Sequence, residues 1–145
     1  LTDPIPDMIL NSDFFAVRNS LLLIDNPVLY PAWFLHAKKE NKTIREIRNV
    51  AFAYWLKNEH VIEYLLPNLI ITLVVKSNPE VEKAIPYMNS DYSECLVKVL
   101  ADDYSEEKWN WIKKLTGIHK LTYKLDSAIN RKDSFYQHII AEKNK

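Results

Sequence analysis

Glycine is almost missing from this chain of 145 residues, and Gly117 is the only one. Tight hairpin turns and phosphate-cradling loops both draw on glycine at positive φ. Its absence argues against an all-β fold, a P-loop and a dinucleotide-binding loop. Cysteine is equally scarce: Cys95 stands alone, which excludes an internal disulfide and any metal site built from several cysteines. Net charge is zero, 19 basic residues balancing 19 acidic ones, so no global field draws the chain toward nucleic acid or an anionic membrane. A membrane-length apolar run is lacking as well. The most apolar stretch, 61–75, holds Glu63 and Pro67 and would reach about 22 Å as a helix, against a hydrocarbon core of about 30 Å.

Hydrophobic residues make up 48% and charged ones 26%, the balance of one soluble globular domain over residues 1–145. The chain begins at Leu1, which fits a removed tag or signal, or a piece of something longer. With no signal peptide in view, the expected compartment is the cytoplasm.

Helical spacing dominates the chain. Phe14, Val17, Leu21 and Ile24 share one face behind Ser12, and a proline-limited segment at Pro27 and Pro31 runs to about Lys39. Thr43 and Glu46 form a capping box for a helix with Ile44, Ile47, Ala51 and Tyr54 on one face. That helix is apolar all round from Val50 to Leu56, which predicts that its second half is sandwiched. The stretch 61–75 is broken only by Glu63, Asn68 and Thr72 among its apolar residues and reads as the central helix. Asn78-Pro79 turns the chain into a short helix, and Ser90, Ser105 and Asp133 each cap a later one. Gly117 stands where a left-handed C-cap belongs, ahead of a helix carrying Ile118, Leu121, Leu125 and Ile129. About eight helices in an all-α domain result. The expected core centres on Tyr54, Trp55, Leu65, Leu66, Leu69, Ile70, Leu73, Val74, Leu96 and Leu100.

The segment LLPNLIITLVVKSNPEVEKAI, with Pro67 inside its first helix and a tight Asn-Pro turn before its second, resembles a HEAT-type helical repeat. The likeness covers about thirty residues around Val61–Met88. A second Asn-Pro turn at Asn26-Pro27 lies 52 residues before the one at Asn78-Pro79, whereas that family repeats every 40–47 or so. The resemblance implies stacked antiparallel helix pairs in an α-solenoid; the residue pattern alone also suits an irregular helical bundle.

Chemistry is harder to find. His36, His60, His119 and His138 show no metal-binding spacing, and His60 with Glu63 is half a motif. Asp102 and Asp103 point about 100° apart on a helix and suit a helix start better than acid–base work. Cys95 lies on an apolar stripe. No catalytic motif, cofactor or metal site emerges. The aromatics are more suggestive, at 12% of residues with four tryptophans. Trp111 groups with Ile112 and Leu115, which leaves Trp109 at the margin as a candidate partner anchor.

Charge is segregated although it sums to zero: residues 38–57 hold six bases against two acids, and 80–107 hold eight acids against two bases. The reading that results is a non-catalytic protein–protein interaction module: an adaptor, a regulatory subunit or an inhibitor-like protein. Its candidate binding residues are Arg45, Arg48, Trp109, Lys120, Tyr123 and Lys124, because guanidinium forks and lysines beside aromatics suit a protein partner bearing carboxylates. The alternative is a nucleic-acid-binding or base-repair protein of HEAT type, against which the zero net charge weighs. An apolar-ligand pocket lined by the aromatic surplus is a third possibility.

Overall fold

The computed structural model describes residues 1–20, 26–122, 124 and 130–143. Among them lie seven helices and two short strands, in the order α1 (Asp7–Leu10), β1 (Phe14–Ala16), β2 (Leu35–Ala37), α2 (Lys42–Trp55), α3 (Leu66–Lys76), α4 (Pro79–Ala84), α5 (Ser90–Val99), α6 (Glu106–Leu115) and α7 (Phe135–Lys143). The chain divides into two compact units, Pro6–Ser90 and Leu1–Ile5 with Asp91–Lys145.

In the Pro6–Ser90 unit, β1 and β2 pair antiparallel, Phe14 opposite Ala37 and Ala16 opposite Leu35. This overturns the all-α expectation, and with it the HEAT-like solenoid and the helical bundle. The helical spacing at Phe14 and Val17 is real, but every residue of β1 is buried, and a strand buried on both faces needs no alternation. Cross-strand pairing decides what the local pattern leaves open. The proline-limited segment 26–39 likewise forms no helix; residues 26–34 lead as loop into β2, which occupies Leu35–Ala37. The remainder of the helix expected through Ile24 falls partly outside the described residues.

The central helix begins later than its apolar run suggests. Pro67 occupies the first turn of α3, where its missing N–H costs nothing, and residues 61–65 precede the helix as a loop. Asn68 and Thr72, the polar breaks in the run, have a structural task. Thr72 Oγ1 accepts from the backbone N–H groups of both Leu29 and Tyr30, at 3.1 Å each, and Asn68 Oδ1 accepts from that of Ala32 at 2.9 Å. Standing one turn apart on α3, they fasten the strand-free segment that leads to β2. Ile71 and Val75 then pack with Phe14, Ala16 and Tyr30 in the core. Tyr30 is fully buried and its hydroxyl donates to Glu82 at 3.3 Å. Burial, opposed by the nearby Arg18 charge and aided by Glu82, pushes its phenol up to about 12. Asn78 caps α4 as its position suggests, accepting from Val81 N–H.

The other unit has its own core of Leu96, Leu100, Trp109, Ile112 and Phe135. Ser105 caps α6 by accepting from Lys108 N–H at 3.2 Å, with Glu106 and Glu107 in the first turn and Lys113 and Lys114 in the last, the arrangement that the helix dipole favours. Before α7 the capping oxygen is that of Ser134, which accepts from Gln137 N–H, rather than that of Asp133. Residues 118–122 form no helix, and the rest of the helix expected there, 125–129, lies outside the described residues. Gly117 has no positive φ. Its use is proximity: a Cβ there would stand 2.5 Å from Asp3 Cβ, and its carbonyl accepts from Thr2 N–H at 2.9 Å.

Of the expected core residues, Leu66, Ile70, Val74, Leu96 and Leu100 are buried, whereas Trp55, Leu65 and Leu73 are 48%, 38% and 57% exposed.

Candidate functional site

Helix α2 carries the surface that stands out. Its N-cap is Asn41, two residues ahead of the expected Thr43. Asn41 Oδ1 accepts from Ile44 N–H at 3.1 Å, and its amide donates to the Asp13 carbonyl at 2.9 Å, tying the helix start to β1. From that start the 3.6-residue period gives α2 two working stripes. Ile44 and Ile47 pack toward the core. Arg45, Arg48, Phe52 and Trp55 follow one another at intervals of three or four along an exposed stripe, with Leu56 four residues beyond Phe52.

Between α2 and α3 lies an open groove of about 700 Å³. Ile47, Ala51 and Trp55 line it from α2, Leu66, Pro67, Ile70 and Ile71 from α3, and Leu35 from β2. Val61 and Tyr64 close one end. The loop that brings them there hangs on Tyr54, whose hydroxyl donates to the His60 carbonyl at 2.6 Å and accepts from Ile62 N–H at 3.1 Å. Around the groove the large apolar side chains stay in water: Phe52, Leu56, Ile62 and Tyr64 are 61%, 87%, 76% and 77% exposed. Contiguous exposure on this scale marks interaction sites in folded proteins.

One turn back along α2 the groove gives way to a mainly basic cleft of about 410 Å³, which shares Leu35 with it and is lined by His36, Lys38, Arg45 and Arg48 with the one acid Glu40. Arg48 donates to the neutral Asn49 Oδ1, at 3.1 and 3.3 Å, a contact that leaves its charge uncancelled. Arg45 donates to the Glu40 carbonyl at 2.8 Å and stands 3.9 Å from the Glu40 carboxylate. Glu40 itself adopts φ 61°, a left-handed conformation that few non-glycine residues take. A separate polar depression of about 820 Å³ adjoins the start of α2, with Asp13, Lys42, Asn78 and Glu80 on its walls. There Lys38 donates to Asp13 at 2.8 Å and holds its carboxyl below the ordinary range, by hydrogen bond first and charge second, so those two charges largely spend each other.

The candidate residues read from the sequence separate. Arg45 and Arg48 stand together on α2 within the Pro6–Ser90 unit. Trp109, Lys120 and Lys124 belong to the other unit. Trp109 is only 5% exposed and packs with Ile112 and Phe135, so it is a core residue and not a surface anchor. Lys120 donates to Glu94 at 2.8 Å, Lys124 is exposed, and Tyr123 lies outside the described residues. The sequence reading missed Phe52, Trp55, Leu56, Ile62 and Tyr64. Pro67 was the available signal: a proline in a first helical turn leaves 61–65 outside the helix, and with it the cover expected for residues 50–56.

Among the described residues no group of three His, Cys, Asp or Glu side chains gathers to hold a metal ion, and no helix is long and apolar enough to cross a membrane. The fold and this face define a mixed α/β chain with an apolar groove set beside a basic cleft. Residues 1–139 match the family model described as capsular polysaccharide synthesis protein, and the chain belongs to that family. No curated protein and no solved structure gives a significant match.

Proposed function

We propose that this chain serves capsular polysaccharide synthesis as a binding module, seating a protein partner of that process on the α2–α3 face. The observation that carries this reading is Trp55, 48% exposed on the groove wall beside the 77% exposed Tyr64. Tryptophan, tyrosine and arginine dominate the energetics of protein interfaces, and all three meet here with phenylalanine and leucine around them. The groove walls are almost wholly apolar, which suits the side chains of a protein better than the hydroxyl-rich surface of a saccharide.

A photoreactive phenylalanine at position 64, introduced into the protein in its capsule-producing host, tests the proposal. The expected result is a crosslink to another component of capsule synthesis, lost on Trp55→Ala, with reduced capsule yield at unchanged protein level. A full capsule in Trp55→Ala, with no crosslink above that of a probe at exposed Lys114, would overturn it.

A further inference from the structure

Resting on that reading, we infer that the segment seated in the groove is an amphipathic helix whose acidic end lies on Arg45 and Arg48. The groove runs between two helices, and its α2 wall is built from Ile47, Ala51 and Trp55, spaced four residues apart. At 1.5 Å per residue these span about 12 Å, or roughly two helical turns of a partner. A helix offers apolar residues at that spacing on one stripe and keeps its own backbone paired, which an apolar wall demands.

Charge then sets the rest of the partner. Continuing along α2 toward its start, the wall changes from apolar to basic within about a turn. Arg48 has only a neutral side-chain partner there, and Arg45 holds Glu40 at 3.9 Å. Lys38 lines the same cleft but is engaged by Asp13 at 2.8 Å, so the guanidinium groups carry the recognition, Arg48 more than the Glu40-paired Arg45. At the opposite end, beside Val61 and Tyr64, the exposed charges are Glu59 and Glu63 against the single base Lys57. The face is therefore polarised along its length, with three bases to one acid at the cleft and two acids to one base at the loop. A uniformly anionic surface such as a lipid bilayer would meet repulsion at one end. A helix with carboxylates roughly seven residues from its apolar anchor meets attraction at the cleft and keeps its acids away from Glu63.

Two stapled synthetic helices test this, sharing one apolar stripe and differing only in glutamates or lysines at one end. Binding to the purified chain is read by fluorescence anisotropy across a salt series, beside phosphatidylglycerol vesicles. The glutamate helix should bind about tenfold tighter than the lysine helix at low salt, the effect of two exposed ion pairs. Salt and the double change Arg45→Glu, Arg48→Glu should each erase that preference, while Trp55→Ala weakens both helices alike. Circular dichroism serves as the check that each variant is folded. Equal binding of the two helices, a preference for lysine, binding of vesicles alone, or no binding at all would each overturn the inference. The broader reading falls separately, through failure of the crosslink at position 64. A crosslinked partner whose binding ignores the arginine changes would leave protein docking standing and remove the acidic helix.

Discussion

Trp55 and Trp109 occupy opposite situations in two units that use the same kinds of residue. Around Trp109, Phe135, Ile112 and Leu96 are sealed from water, and Tyr104 stacks its ring on His138 at 3.4 Å. Around Trp55, Phe52, Leu56 and Tyr64 stand open, and the closest ring contact is the edge-on approach of Tyr54 at 5.2 Å. Aromatic content is thus no measure of core. Around Trp109 it is spent on cohesion, and around Trp55 it is held at the surface. Truncating an aromatic should therefore damage folding at Trp109 and its neighbours and, on the proposed function, binding at Trp55 and its neighbours.

The largest expected effect tests the cohesive half. Phe135 is fully buried, so Phe135→Ala should cost about 3–5 kcal/mol through lost transfer energy and a cavity, whereas Trp55→Ala should cost far less. Chemical denaturation of both variants checks the contrast, and equal losses would break it.

Next comes the close approach at Gly117, which belongs to the same unit. Gly117→Ala places a Cβ 2.5 Å from Asp3 Cβ and 2.8 Å from its carboxylate, and the overpacking should cost about 1–3 kcal/mol. Adding Asp3→Gly should recover most of that loss in melting experiments. Failure to recover would locate the cost in backbone conformation instead.

A smaller effect follows from His119. Burial, and then a nearby amino group, push its imidazole below the ordinary value of 6.5, against the pull of Asp3, and its Nδ1 is buried with no partner among the described residues. The folded state therefore takes up a proton less readily than the unfolded one. The stabilisation is complete above about pH 6.5 and is lost as pH falls through the depressed folded value. Melting temperatures taken at about pH 7.5 and 5.5 should show this fall, and His119→Gln should flatten it.

The smallest effect sharpens the groove side. Leu73 is 57% exposed while its neighbour Val74 is 6% exposed. Leu73→Ala should stay within about 0.5 kcal/mol of the parent and Val74→Ala should exceed it clearly. The reverse order in denaturant would mean that α3 is rotated from the position described.

Much of the local punctuation was legible. Asn78 and Ser105 cap helices where their side chains and the following residues suggest, because capping is decided within a turn of the chain. The tertiary decisions were not. Phe14–Ala16 carries a helical spacing yet pairs with a strand 21 residues further on, and nothing local encodes that pairing. Burial failed for the same reason: the apolar surround of residues 50–56 implies cover, but no described element supplies it on the Phe52 and Leu56 side. Arg45 and Arg48 were legible as a solvent-facing pair, since charge at helical spacing reports exposure directly. Their neighbours in the site were not, because an exposed tryptophan and a buried one look identical in a sequence.

Helix α3 has a double employment, and it makes the groove's floor audible elsewhere in the unit. Ile70 and Ile71 face the groove, and Asn68 and Thr72, flanking them in the chain, hold the amides of Leu29, Tyr30 and Ala32. A ligand pressing on the floor cannot lean on α3 without also leaning on those three bonds. Their protection against hydrogen exchange is thus a built-in strain gauge, with Leu29 and Tyr30 reading occupancy of the groove from outside its lining.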